Sequence, residues 1–204
     1  MLAILENGLF AHVWTAQSAA KLLLKRAEAG QREFLPLIDD AFVHWLKHEE
    51  PYPAGGGVIP DSPRSELAKA RLTIEGPDYE RVKVYLSDRR GDVSDVGRSA
   101  LVELFEAQHD AFGPFFADIK GGQLGTSILS FVLSKLDSLP ADDTDRVLPL
   151  LDHEDENFRF AAMAILDRKY LDPDQIRMQL EELLEDPVEA IRKRAKRALS
   201  LLTV

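Results

Sequence analysis

The chain has 204 residues, is 45% hydrophobic and 29% charged, carries a net charge of −10 and contains no cysteine. A length of this order buries a core either as one domain or as a short array of repeats. The lack of thiols excludes disulfides, cysteine nucleophiles and thiolate metal sites, and the acid excess counts against nucleic acid, whose phosphates need a basic surface.

The first residues, Met1 to Glu6, carry a short apolar stretch with no positive region before it, so no signal peptide is expected. No apolar run approaches the roughly 20 residues that cross a bilayer. With no cysteine to pair, a cytoplasmic protein without a membrane anchor is the expectation. Residues 1–50 read as a divergent helix pair. Phe10, Val13, Trp14, Leu22 and Leu23 anchor the first helix, and Ala16, Ala19 and Ala20 allow close packing. Gly30 is a natural stop, because glycine tolerates the left-handed conformation at a helix end. Phe34, Leu35, Ile38, Phe42, Trp45 and Leu46 then recur at helical spacing, and these aromatics read as core. Asp40, His44 and His48 lie four apart on one side of that helix, near Glu49 and Glu50. Imidazole and carboxylate suit zinc. The spacing is not that of a metalloprotease, however, and two histidines so placed are common on solvated faces. No metal and no cofactor are expected, and His12, His109 and His153 receive no role.

Residues 51–63 form a Pro/Gly-rich loop that cannot be helical. Gly55 to Gly57 lack the Lys and Ser/Thr of a phosphate cradle, so the loop reads as a connector. Ser62 or Ser65 caps the next helix, through Leu67, Ala70, Arg71 and Ile74. A turn at Gly76-Pro77-Asp78 starts another with Val82, Tyr85 and Leu86, and a break at Ser87 to Asp92 leads to Val96, Ala100, Leu101 and Leu104. A degenerate unit follows: Phe112 to Phe116, the turn Gly121-Gly122, then Leu124, Ile128, Val132 and Leu136.

From Asp142 to Leu202 two helix pairs succeed one another in near-register. A shift of 33 residues places Val147 on Leu180, Leu150 on Leu183 and Leu151 on Leu184. The same shift places Phe158 on Ile191, Arg159 on Arg192, Ala162 on Ala195 and Leu166 on Leu199. A fixed period of this size marks stacked helical hairpins, each burying the face its neighbour leaves wet. With Asp186-Pro187 in the turn and Arg192 six residues on, these units resemble HEAT repeats, in particular the short bacterial HEAT-like form. The likeness is good over 142–202, fair over 78–107, weak over 112–136, and at 9–48 extends only to a helix pair. It implies an all-α fold, an α-α superhelix of about five hairpins, with residues 64–204 as the array in a single compact domain. It also implies that the turn aspartate pairs with a repeat arginine, Asp186 with Arg192, whereas His153 stands at the equivalent earlier place beside Asp152 and Asp155.

No nucleophile has a recognisable setting: there is no Gly-x-Ser-x-Gly elbow, and Thr126-Ser127 has no histidine near in sequence. Two charge features stand out. From Asp137 to Glu156 there are eight acids against one base, Arg146, and in the repeat register many of them fall in turns at one edge. The last helix carries Arg192, Lys193, Arg194, Lys196 and Arg197, which read as favourable charge toward a helix C-terminus with Glu185 and Glu189 as neighbours. The expected function is therefore non-catalytic protein binding, with Asp142, Asp143, Asp145, Glu154 and Glu156 as the binding edge for a basic protein. A compact, acidic, cysteine-free chain also resembles bacterial immunity or inhibitor proteins that neutralise a basic toxin. The alternative implied by the HEAT likeness is an enzyme, either an alkylpurine DNA glycosylase, with Trp14 and Trp45 stacking on bases, or a bilin lyase.

Overall fold

A computed structural model describes residues 2–48, 62–166 and 171–202. Of the 51–63 loop, only Ser62 and Pro63 fall among them; Glu49, Glu50 and Gly55 to Gly57 lie outside the described residues. Every regular element among the described residues is helical. The order is α1 (Leu2–Leu9), α2 (Val13–Glu28), α3 (Leu35–His48), α4 (Pro63–Glu75), α5 (Tyr79–Leu86), α6 (Gly91–Ala107), α7 (Phe112–Lys120), α8 (Thr126–Lys135), α9 (Ala141–Val147), α10 (Glu156–Ala162), α11 (Pro173–Glu182) and α12 (Glu189–Leu202). Single 3-10 turns extend α9 over Leu148–Asp152, α10 over Met163–Ile165 and α11 over Leu183–Glu185. The chain divides into two compact units, Met1–Leu101 and Val102–Val204.

The first unit is organised around α4, which packs on both α2 and α3. Sequence alone places α4 at the head of the repeat array; its contacts instead join it to the N-terminal helices. The stripe of α2 that meets this core is Ala16, Ala19, Ala20, Leu23 and Ala27, against Leu67, Ala70 and Ile74. Small residues let two helices approach closely, so this stripe contributes packing with little hydrophobic bulk. At about 100° per residue, Trp14 falls on the far side of α2 from Ala16, Ala20 and Leu23. It is 50% exposed, and Phe10, Leu22 and Leu46 are exposed as well, so four of the apolar positions assigned to the core lie at the surface. Phe34, Ile38 and Trp45 are buried as expected, and the Trp45 indole donates to the Leu9 carbonyl at 2.7 Å. That bond ties α3 to α1, whose Leu5 and Leu9 also enter the core. Gly30 ends α2 at φ +79°, a conformation open to glycine without strain.

α4 begins with Ser62 as its N-cap, accepting from the Arg64 N–H at 3.2 Å, and with Pro63 in the first turn. Ser62, Arg64, Ser65 and Glu66 are buried although all four are polar. Asp88 and Asp92, at the α5–α6 corner, supply partners for two of them. Arg64 forms an ion pair with Asp88, and the Ser62 N–H donates to Asp92 at 2.6 Å. Arg90 in turn binds Asp92 at 3.1 Å. Burial alone would raise the Asp92 pKa, but the hydrogen bonds from Arg90 and Ser62 outweigh it and hold the carboxyl below the usual carboxylate range.

The α5–α6 corner is closed at Gly97. A Cβ built there would lie 2.8 Å from the Leu86 backbone nitrogen and 3.0 Å from the Tyr85 Cβ. Backbone cannot yield as a side-chain tip can, so Gly97→Ala should destabilise the protein by about 1–3 kcal/mol despite the better helix propensity of alanine. A urea titration that finds the variant equal to or more stable than wild type would show that the corner has slack.

In the second unit, Phe112 and Phe115 of α7 pack with Phe105 at centroid separations of 5.4 Å and 5.3 Å, and Phe116 stacks on Phe112 at 6.1 Å. α8 packs against α10, and α11 against α12. Ala162 and Ala195, aligned by the 33-residue shift, are both fully buried.

Candidate functional site

Two arginines 33 residues apart make the same contacts. Arg159 Nη1 donates to the carbonyls of His153 (2.7 Å) and Glu154 (2.9 Å) in the turn before α10. Arg192 Nη1 donates to those of Asp186 (2.5 Å) and Pro187 (2.9 Å) in the turn before α12. Each arginine thereby satisfies two carbonyls of the loop that follows a 3-10 turn and precedes a helix.

The Asp186 carboxylate binds Arg159 and not Arg192, which corrects the pairing implied by the repeat likeness. Arg159 Nε donates to Oδ2 at 2.7 Å and Nη2 to Oδ1 at 3.1 Å, a bidentate bond. Its Nη1 is already committed to the main chain, so the other edge of the guanidinium is presented to the following turn. The Val188 N–H also donates to Asp186, at 2.7 Å. The hydrogen bond from Arg159, joined by that from Val188, holds the Asp186 carboxyl below its usual value, and the same bond raises Arg159.

This rung forms the floor of a groove of about 360 Å³ between the 152–154 turn and the start of the 183–187 turn. Leu151 and Leu183 supply its apolar lining, and Asp152, Glu154, Glu182 and Glu185 its rim. The four rim acids are exposed, and none forms an ion pair among the described residues. Arg159, the cation in the lining, is neutralised by Asp186. The groove therefore presents net negative charge above the Arg159–Asp186 rung.

Of the five acids assigned to a binding edge, Glu154 alone lines this groove. Asp142, Asp143 and Asp145 lie on α9, not in a turn, and Glu156 is the first residue of α10. Asp143 is 6% exposed and bonds Arg146 at 3.1 Å, so it is a structural residue. Asp155 caps α10, accepting from the Asn157 N–H at 2.8 Å. Asp152 and Glu185 were not assigned to the site, although the 33-residue register pairs them; that coincidence was the available signal.

The remaining candidates are placed as follows. His44 and His48 stack at 4.5 Å, His48 Nδ1 lies 2.9 Å from the His44 carbonyl oxygen, and Phe10 meets His44 edge-on. Partial burial, then the neighbouring His48, lowers the His44 pKa. Among the described residues, no three His, Asp or Glu side chains converge as a metal site, and no helix is long and apolar enough to cross a membrane. Trp45 is buried and Trp14 exposed, so they do not form one stacking surface. The five bases of α12 lie along its middle, at residues 192–197, and none in its last turn, so the dipole at the C-terminus does not account for them. Arg192 is held by carbonyls, Lys193 pairs with Glu189 at 2.6 Å, and Arg194 lies 5.0 Å above the Phe160 ring. Compared with protein-family models, with curated proteins and with solved structures, the chain finds no match in any of the three.

Proposed function

We propose that the chain is an α-α superhelix of about five HEAT-like hairpins that binds a basic protein without catalysis, using the acidic groove at the Arg159–Asp186 rung. The observation that carries the binding reading is a concave site whose four exposed carboxylates have no counter-ions among the described residues. The recurrence of one arginine–carbonyl arrangement 33 residues apart supports the repeat reading. An inhibitor that neutralises a basic toxin in the cytoplasm is a protein of this kind. Rim charges act chiefly on encounter, by steering over a Debye length of about 8 Å at physiological salt.

The test is the variant Asp152→Asn, Glu154→Gln, Glu182→Gln, Glu185→Gln. Its melting temperature should stay near that of wild type, because these side chains are exposed. Association with the basic protein that co-purifies with the wild-type chain should slow at least about tenfold at low salt, and the two rates should converge at high salt. Equal rates at low salt would remove the groove as the binding surface.

A further inference from the structure

The two equivalent arginines differ in one respect. Arg159 holds two carbonyls with Nη1 and fills its Nε/Nη2 edge with the carboxylate of Asp186. Arg192 holds its two carbonyls in the same way, but its Nε/Nη2 edge has no partner among the described residues. Arg192 is only partly exposed, and its contacts with Asp186 and Pro187 fix the guanidinium. An arginine so fixed has already lost the rotamer freedom that a bidentate bond would otherwise cost. The preceding hairpin supplies the template for the missing ligand. There the carboxylate belongs to Asp186, which also accepts the Val188 N–H two residues on, in the turn just before α12.

We propose that Arg192 is an open rung, a receptor for the carboxylate of an aspartate in the turn before a helix of a partner protein. This site is opposite in sign to the acidic groove and independent of it. An aspartate is preferred to a longer acid because the template carboxylate reaches the arginine while still bound to its own main chain. Asparagine in its place would retain the bond within the turn but lose the charge-assisted pair of bonds. Lysine in place of Arg192 would retain the charge but lose the fork.

The experiment titrates the full chain with a peptide of the sequence of residues 183–202, which carries the turn with Asp186. The readout is the NMR signal of the arginine Nε–H groups. The expected result is a saturable shift of the Arg192 Nε–H, with the Arg159 signal unmoved. The peptide with Asp186→Asn should bind at least about tenfold more weakly, as should the wild-type peptide to the Arg192→Lys protein. Should the Arg192→Lys chain fail to fold, the two peptides against the wild-type chain still decide the matter. Equal affinity for both peptides, no shift at millimolar peptide, or a shift at Arg159 through exchange of the peptide for α12 would each overturn the proposal.

Discussion

Asp88→Ala should cost about 3–5 kcal/mol, enough to unfold a large part of the population of a marginally stable domain. Arg64 and Asp88 are 1% and 2% exposed, and removal of the carboxylate takes a buried ion pair away from the guanidinium. Asp88 also accepts from the Arg90 N–H at 2.8 Å, so the α5–α6 corner loses a turn-forming bond as well. A urea titration followed by circular dichroism measures the effect as a lower midpoint at an unchanged slope. The double variant Arg64→Met, Asp88→Asn should recover part of the loss, because neither charge of the pair remains in the interior. A single variant within about 1 kcal/mol of wild type would mean that water reaches Arg64.

Asp186→Asn should cost about 3 kcal/mol at neutral pH and should alter how stability responds to acid. The side chains of Arg159 and Asp186 are 10% and 4% exposed, so solvent screens the pair little. Asparagine keeps the bond from Val188 but cannot neutralise Arg159. The carboxyl of Asp186 titrates below its ordinary value of 3.8, chiefly through the Arg159 hydrogen bond. The folded state thus binds this proton less readily than the unfolded chain does. The stabilisation is complete above the unfolded value and is lost as pH falls from there through the folded value. Wild type should therefore lose its advantage over the variant as pH falls below about 4, where the two melting curves approach one another. A constant gap across that window would assign the cost of the substitution to packing instead of charge.

The repeat at the C-terminal end is legible in the sequence because it depends on residues close together in the chain. Arg159 and Arg192 reach back five or six residues to their carbonyls, and Ala162 and Ala195 follow from helical period alone. The partner of Asp186 is less legible, because Arg192 is near in sequence whereas Arg159, which binds it, lies 27 residues upstream. In the first unit the apolar residues misled. α2 turns an alanine stripe inward and leaves Trp14 and Leu22 outside, so size and hydrophobicity point to the wrong face. The importance of α4 could not be read at all from its composition. Arg64 and Ser62 are buried only because Asp88 and Asp92 arrive from further along the chain to satisfy them.

Those long reaches impose an order on synthesis. The Arg32 side chain bonds the Ile74 carbonyl across 42 residues, Trp45 bonds Leu9 across 36, and Ser62 bonds Asp92 across 30. α2 and α3 therefore leave the ribosome before α4, and α4 before the acids that make its burial affordable. At roughly 5–20 residues per second, the interval between His48 and Asp92 lasts roughly 2–9 s. Until α4 docks, the parts of α2 and α3 that it covers stay wet, because those contacts are non-local and close late. The earliest part of the nascent chain is thus the part that waits, and it offers chaperones a binding window that ends when Asp92 docks.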